Sequence, residues 1–158
     1  MTKKINIYTD GSSIGNPGPG GYGIIMISDN GLYKKEFTKG FKLTTNNRME
    51  LLAVIVALES IKIKNSNVEV FTDSKYVSDA VDKEWLFEWE KINFKKKKNS
   101  DLWKRFLLIY RKHNVTFTWI KGHNNHPENE RCDYMANNSA KSSNLISDTY
   151  YEKNIKGL

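Results

Sequence analysis

Two stretches of the chain end alike. Tyr8-Thr9-Asp10-Gly11-Ser12 and Phe71-Thr72-Asp73-Ser74-Lys75 each run aromatic, threonine, aspartate and then a small residue. Each closes an apolar segment, so each aspartate is expected at the end of a strand. If the two strands are parallel neighbours, both carboxylates emerge on one edge of a sheet, at the carboxyl ends where open α/β sheets place ligands. A third acid, Glu50, lies in the first turn of an expected helix, on a face otherwise made of Ala53, Val54, Ala57, Leu58 and Ile61. A charge aimed that way needs a partner or a metal. Asp133, six residues after Pro127, is the fourth candidate. Converging carboxylates repel, and without a cation some of them must hold protons. Their hard oxygens suit Mg²⁺ or Mn²⁺, and two such ions can activate a water and stabilise the leaving oxygen of a phosphodiester. Taken singly, each acid also has an ordinary use: turn capping for Asp10 and Asp73, the helix dipole for Glu50, a solvated helix surface for Asp133.

The elements that must position these acids follow from periodicity. Residues 5–9 alternate as a strand, and residues 11–21 form a loop rich in glycine, proline and serine. Residues 22–27 and 32–43 are two more strands, joined by the turn Asp29-Asn30-Gly31, which makes an antiparallel meander. Residues 47–61 repeat apolar positions at i, i+3 and i+4, the spacing of a helix. Residues 68–72 form a short strand, and residues 74–82 a helix with Ser74 as N-cap. Further helices are expected over about 84–92 and 101–112, with a fifth strand at 115–120. Pro127 opens a last helix that runs to about Lys141, at a position where its missing N–H costs nothing. Strands joined through helices pair in parallel. The expected fold is therefore α/β, of the mixed α+β kind: a five-stranded sheet, its first three strands antiparallel, the fourth and fifth parallel to the first, flanked by helices. Residues 1–141 are read as one domain, and 142–158 as a polar, loosely held tail.

A chain of 158 residues fits one domain. Its single cysteine, Cys132, excludes an internal disulfide and points to a reducing cytoplasm. The longest apolar run, residues 51–58, is far too short to span a membrane. Alternation begins directly after Met1-Thr2-Lys3-Lys4, so no signal peptide is expected. The net charge of +7 is concentrated: residues 83–112 hold 10 basic and 4 acidic side chains. That stretch contains Lys95, Lys96, Lys97 and Lys98 together with Trp85, Trp89 and Phe94. Ammonium groups beside aromatic faces suit a phosphate backbone, which releases counterions on binding; the plain alternative is a solvated surface.

Competing motifs are weaker. Gly18-Pro19-Gly20-Gly21-Tyr22-Gly23 matches G-x-G-x-x-G, but a strand follows it where a dinucleotide site needs a helix. His123, His126, Cys132 and Asp133 suggest zinc, yet His126 precedes a helix start and Cys132 shares an apolar side with Met135 and Ala136. The same placement argues against a cysteine nucleophile.

Four segments fit one family in order and spacing. They are Thr9-Asp10-Gly11-Ser12 with the glycine-rich run from Gly15 to Gly23, then Thr45-Asn46-Asn47-Arg48-Met49-Glu50, then Thr72-Asp73-Ser74, and finally Lys121-Gly122-His123 with the run from His126 to Asp133. Over residues 4 to about 141 the chain closely resembles bacterial type 1 ribonuclease H. The resemblance implies that fold, endonucleolytic cleavage of the RNA strand of RNA–DNA hybrids, two Mg²⁺ ions (Mn²⁺ as a substitute), and products with 5′-phosphate and 3′-hydroxyl ends. It implies that Asp10, Glu50, Asp73 and Asp133 are the metal-binding catalytic acids, with His123 assisting the attacking water or product departure. It places a DNA phosphate pocket at Asn16 and Thr45, and contacts to RNA 2′-hydroxyls and the minor groove at Gly15, Asn46, Asn47 and Ser74. It makes the basic stretch, with Trp85, Trp89 and Lys95 to Lys98, a handle on the DNA side, and the protein a monomer. Lys75 stands where a glutamine contact is common, and the link between the handle helices is short. A non-catalytic binding module of the same fold, or a nuclease for another phosphodiester, is the rival expectation; the first would have lost an acid or the histidine, and both are retained here.

Overall fold

A computed structural model describes residues 4–28, 31–122 and 126–155. The chain opens with three antiparallel strands, β1 (Lys4–Ser13), β2 (Gly18–Ser28) and β3 (Tyr33–Thr44). Helix α1 (Asn46–Glu59) leads to β4 (Asn67–Thr72), which pairs in parallel with β1. Helices α2 (Lys75–Asp82), α3 (Trp85–Lys91) and α4 (Ser100–Tyr110) lead to β5 (Asn114–Trp119), parallel to β4. Helix α5 (Pro127–Ala140) follows. The pairing expected for the first five strands is observed.

The sheet has six strands, however, not five, in the order β5-β4-β1-β2-β3-β6. The sixth, β6 (Leu145–Ile146), pairs in parallel with Gly40 and Phe41 of β3, and α6 (Thr149–Ile155) follows it. The segment expected as a loose tail is thus held, and the reason is a buried ion cluster. Arg48, 2% exposed, donates from Nε and Nη2 to the Asp148 carboxylate at 2.7 and 3.0 Å, and Thr44 Oγ1 donates to the same carboxylate at 2.7 Å. The other edge of the guanidinium donates to Asp101 of α4 at 2.9 and 2.8 Å and to Asn99 Oδ1 at 3.3 Å. A buried charge persists only when paired in this way.

Side chains alternate across the sheet, so its two faces pack against different helices. Ile7, Ile24, Val68 and Val70 face the main core with α1 and α4, where Met49, Leu51, Ile55, Trp103 and Phe106 are buried. Almost every turn of α1 is buried, because helices and sheet enclose it from several sides. Ile25, with Tyr8 and Ile27, faces Cys132 and Met135 of α5. Helix α5 approaches unusually close. A Cβ on Gly21 or Gly23 of β2, or on Gly40 of β3, would strike Ser139 or the α5 backbone around Cys132.

Candidate metal centre and active-site cleft

Local chemistry delivers each acid to one edge. Tyr8 pairs in register with Phe71, and their rings stack at 4.7 Å, so the two matching tripeptides lie side by side and Asp10 and Asp73 leave the sheet together. Thr45 caps α1 by accepting from the Arg48 N–H at 3.2 Å, which fixes the first turn that carries Glu50. Gly11 lets that turn touch β1: its N–H donates to Glu50 Oε1 at 2.7 Å and to Asp10 Oδ1 at 2.9 Å. A Cβ there would press on the backbone of Met49 and Glu50. Ser12 donates to Asn137 Oδ1 at 2.5 Å, and Asn137 Nδ2 to the Asp133 carbonyl at 3.0 Å, tying the Asp133 turn of α5 to β1.

Asp10, Glu50 and Asp73 each offer a carboxylate oxygen within 4.8 Å of the other two. Asp133 stands outside this trio but lines the same cleft of about 420 Å³, along with Gly11, Ser12, Asn46, Asn47, Ser74, Lys75 and Tyr76. Asp10 and Glu50 are only 4% exposed. Burial, and then the neighbouring carboxylates, push the Asp10 carboxyl well above the usual carboxylate range. Burial, and then the charges of Asp73 and Asp133, raise Glu50 too, against the opposing hydrogen bonds of Asp10 and of the Gly11 N–H. Glu50 Oε2 is buried without a hydrogen-bond partner. A buried carboxylate oxygen left without a donor, beside other acids, fits a divalent cation.

The remaining expected residues fall in three places. Asn16 is exposed and accepts from the Asn46 N–H at 3.1 Å, which joins the loop of Gly15 (φ +75°) to the start of α1 beside Thr45 and Asn47. Ser74 caps α2 at the cleft edge, accepting from the Val77 N–H. Lys95 to Lys98 are exposed on the link between α3 and α4, with Lys97 Nζ over the Trp89 ring at 5.3 Å and Trp85 facing Lys83. Phe94 of that link is buried, and Asn99 Nδ2 and Trp103 Nε1 both donate to Tyr76 Oη, at 2.9 and 3.0 Å. The handle is therefore pinned to a residue of the cleft wall. His123 lies outside the described residues. The zinc grouping of His126 and Cys132 is not borne out: Cys132 is buried and donates to the Tyr8 carbonyl, and burial raises its thiol pKa. A second, apolar cleft of about 510 Å³ lies at the other end of β1 and β2, lined by Ile5, Met26 and Tyr33, with no acid among its described lining residues.

Arg48, Tyr76 and Trp119 escaped the sequence reading. Arg48 alone left a signal, as a second charge beside Glu50 in the first turns of a largely apolar helix.

Carboxylates gathered at the carboxyl edge of a mixed sheet, with a basic, aromatic arm beside them, define a metal-dependent enzyme acting on a nucleic-acid backbone. Residues 2–141 match the family described as RNase H. The chain is 51% identical over 148 residues to a Ribonuclease H from Desulforamulus reducens, covering 90% of this chain and 91% of that one. It is 47% identical over 161 residues to a Ribonuclease H from Rippkaea orientalis, covering 99% and 96%. Its structure is similar to that of LC9-RNase H1, described as a type 1 RNase H with the type 2 active-site motif (TM-score 0.80, 28% identity, 98% of this chain and 82% of that chain). It is also similar to LC11-RNase H1 in complex with RNA/DNA hybrid (TM-score 0.65, 28% identity, 86% and 96%). The chain belongs to the ribonuclease H family.

Proposed function

We propose that this protein is an endonuclease that hydrolyses the RNA strand of RNA–DNA hybrids, with two Mg²⁺ ions held by Asp10, Glu50, Asp73 and Asp133. The observation that carries the cation site is the buried trio with Glu50 Oε2 unpartnered. Divalent cations bound there would activate a water and stabilise the leaving oxygen. The chain's own residues do the rest. Gly11 N–H holds one oxygen of Glu50 and one of Asp10, which fixes the two carboxylates side by side. The sheet edge supplies Asp73 in register, and α5 brings Asp133 into the same cleft beside Asp10. The water's oxygen ends on phosphorus, the P–O3′ bond breaks, and the products carry 5′-phosphate and 3′-hydroxyl ends. His123 assists the water or the departure of product.

Substrate grip follows from the same placement. Asn16 and Thr45 take a DNA phosphate, while Gly15, Asn46, Asn47 and Ser74 meet the RNA 2′-hydroxyls that distinguish the two strands. Trp85, Trp89 and Lys95 to Lys98 hold the DNA side. Residues 1–141 form the catalytic domain, acting as a monomer in the cytoplasm, with Mn²⁺ an acceptable substitute for Mg²⁺. Among the described residues no helix is long and apolar enough to cross a membrane. The test is incubation of labelled RNA–DNA hybrid, double-stranded RNA and double-stranded DNA with and without Mg²⁺. Cleavage confined to the RNA of the hybrid, and dependent on Mg²⁺, is expected; cutting of double-stranded DNA would point to the rival phosphodiesterase.

A further inference from the structure

Among the described residues lining the acidic cleft, Lys75 is the one cation. It opens α2, two residues beyond Asp73. A lysine on a flexible stem so near several carboxylates would ordinarily fold onto them and compete with their cations. Here its Nζ lies 4.8 Å from the centroid of the Trp119 ring. Trp119 ends β5, is 44% exposed, and donates its Nε1–H to the carbonyl of Asp73 at 2.9 Å. One indole therefore does two things. Its N–H holds the backbone that presents an acid of the cleft, and its face holds the ammonium at the rim, by the attraction of a cation for an aromatic quadrupole. Lys75 and the acids line one cleft, so a polyanionic strand that reaches the acids comes within range of the ammonium.

We propose that Lys75, perched on Trp119, is a substrate-positioning contact: its ammonium takes a non-scissile phosphate of the strand lying in the cleft, while Trp119 fixes both that ammonium and the backbone of Asp73. This rests on the hybrid-cleaving function above and names one of its specificity determinants. The handle lysines sit on a separate element, so the two phosphate contacts are separable by mutation.

The experiment measures kcat and KM on hybrid at fixed Mg²⁺ across a range of KCl concentrations. Lys75→Gln removes the charge but leaves a side chain able to hydrogen-bond substrate, so it is expected to keep kcat within about twofold and to reduce the slope of log KM against log[KCl] by about 0.7 to 0.9, the loss of one phosphate contact. Lys75→Arg is expected to restore the slope. Trp119→Phe keeps the aromatic face but loses the N–H to Asp73, so kcat falls while the slope stays. Trp119→Leu loses both, so kcat falls and the slope flattens; adding Lys75→Gln to it flattens the slope no further. An unchanged salt slope in Lys75→Gln overturns the phosphate contact, and since that side chain is exposed the variant will fold. A full slope in Trp119→Leu overturns the perch. A wild-type chain that leaves hybrid intact with Mg²⁺ overturns the underlying function, and is read before any variant.

Discussion

Gly11→Ala tests how the strand and the helix assemble the cation site. A Cβ at Gly11 would lie 2.5 Å from the Met49 carbonyl carbon and 2.8 Å from the Met49 Cβ. Ordinary carbon–carbon approach is about 3.5–4.0 Å, so the first turn of α1 must retreat by about 1 Å. The obstacle is largely backbone, which cannot swing aside as a flexible side chain would. The retreat carries Glu50 away from Asp10 and Asp73 and stretches the 2.7 Å bond from Gly11 N–H to Glu50 Oε1. Misplacement of about 1 Å at a reacting centre costs roughly 100-fold in rate. Overpacking costs about 1–3 kcal/mol, and for a chain of this size each kcal/mol lowers the melting temperature by about 2–4 °C. Expected, then, is a kcat about 100-fold lower on hybrid with Mg²⁺, a KM raised as well because Thr45, Asn46 and Asn47 move with that turn, and a melting point lower by roughly 2–12 °C. Ser13→Ala, two residues along β1, serves as control and leaves kcat unchanged. A Gly11→Ala enzyme with kcat within threefold of wild type would refute the claim that the contact of α1 with β1 sets the site.

Asp148→Ala removes three hydrogen bonds and strands half of the Arg48 guanidinium. A stability loss of about 3–4 kcal/mol is expected by denaturant unfolding, with hybrid cleavage at 25 °C retained; a loss under 1 kcal/mol would show that the C-terminal segment is not braced there. Asp10→Asn abolishes cleavage but stabilises the metal-free protein, by about 1–3 kcal/mol at pH 8, because it removes one of the crowded buried carboxylates. In chelator, the wild type should lose stability as pH rises from the ordinary carboxylate range through neutrality: the unfolded chain has already released protons that the raised Asp10 and Glu50 still hold. Mg²⁺ should flatten that decline, and a profile rising with pH in chelator would contradict it. Replacing Lys95 to Lys98 with alanine should weaken hybrid binding and lower its salt slope by up to about 2.8 to 3.6, the loss of four phosphate contacts; an unchanged slope would show that the run does not touch phosphates.

Much of the site was legible because its signals are local. The repeated aromatic-Thr-Asp ends needed only parallel pairing to become neighbours, and a glutamate on an apolar helix face announces a partner. The meander and the parallel crossovers likewise show in short-range periodicity. What stayed hidden depends on distant pairs. The two-residue strand β6 is too short for any period, and Asp148 meets Arg48 across 100 positions. The closeness of α5 becomes visible only once Gly21, Gly23 and Gly40 lie on adjacent strands. Trp119 read as an ordinary strand residue, since its two partners come from the turn after β4 and the start of α2. Asp133 was expected with the other three acids, and the structure puts it in the same cleft, close enough to perturb both Asp10 and Glu50.

The central claim is that Asp10, Glu50 and Asp73, joined by Asp133, hold the divalent cations on which cleavage depends, with the first three at the centre of the site. Anomalous diffraction from crystals soaked in Mn²⁺, at a concentration that supports cleavage in solution, tests it most directly. Manganese density coordinated by those three carboxylates is predicted. Active enzyme whose crystals show no manganese among them would contradict it.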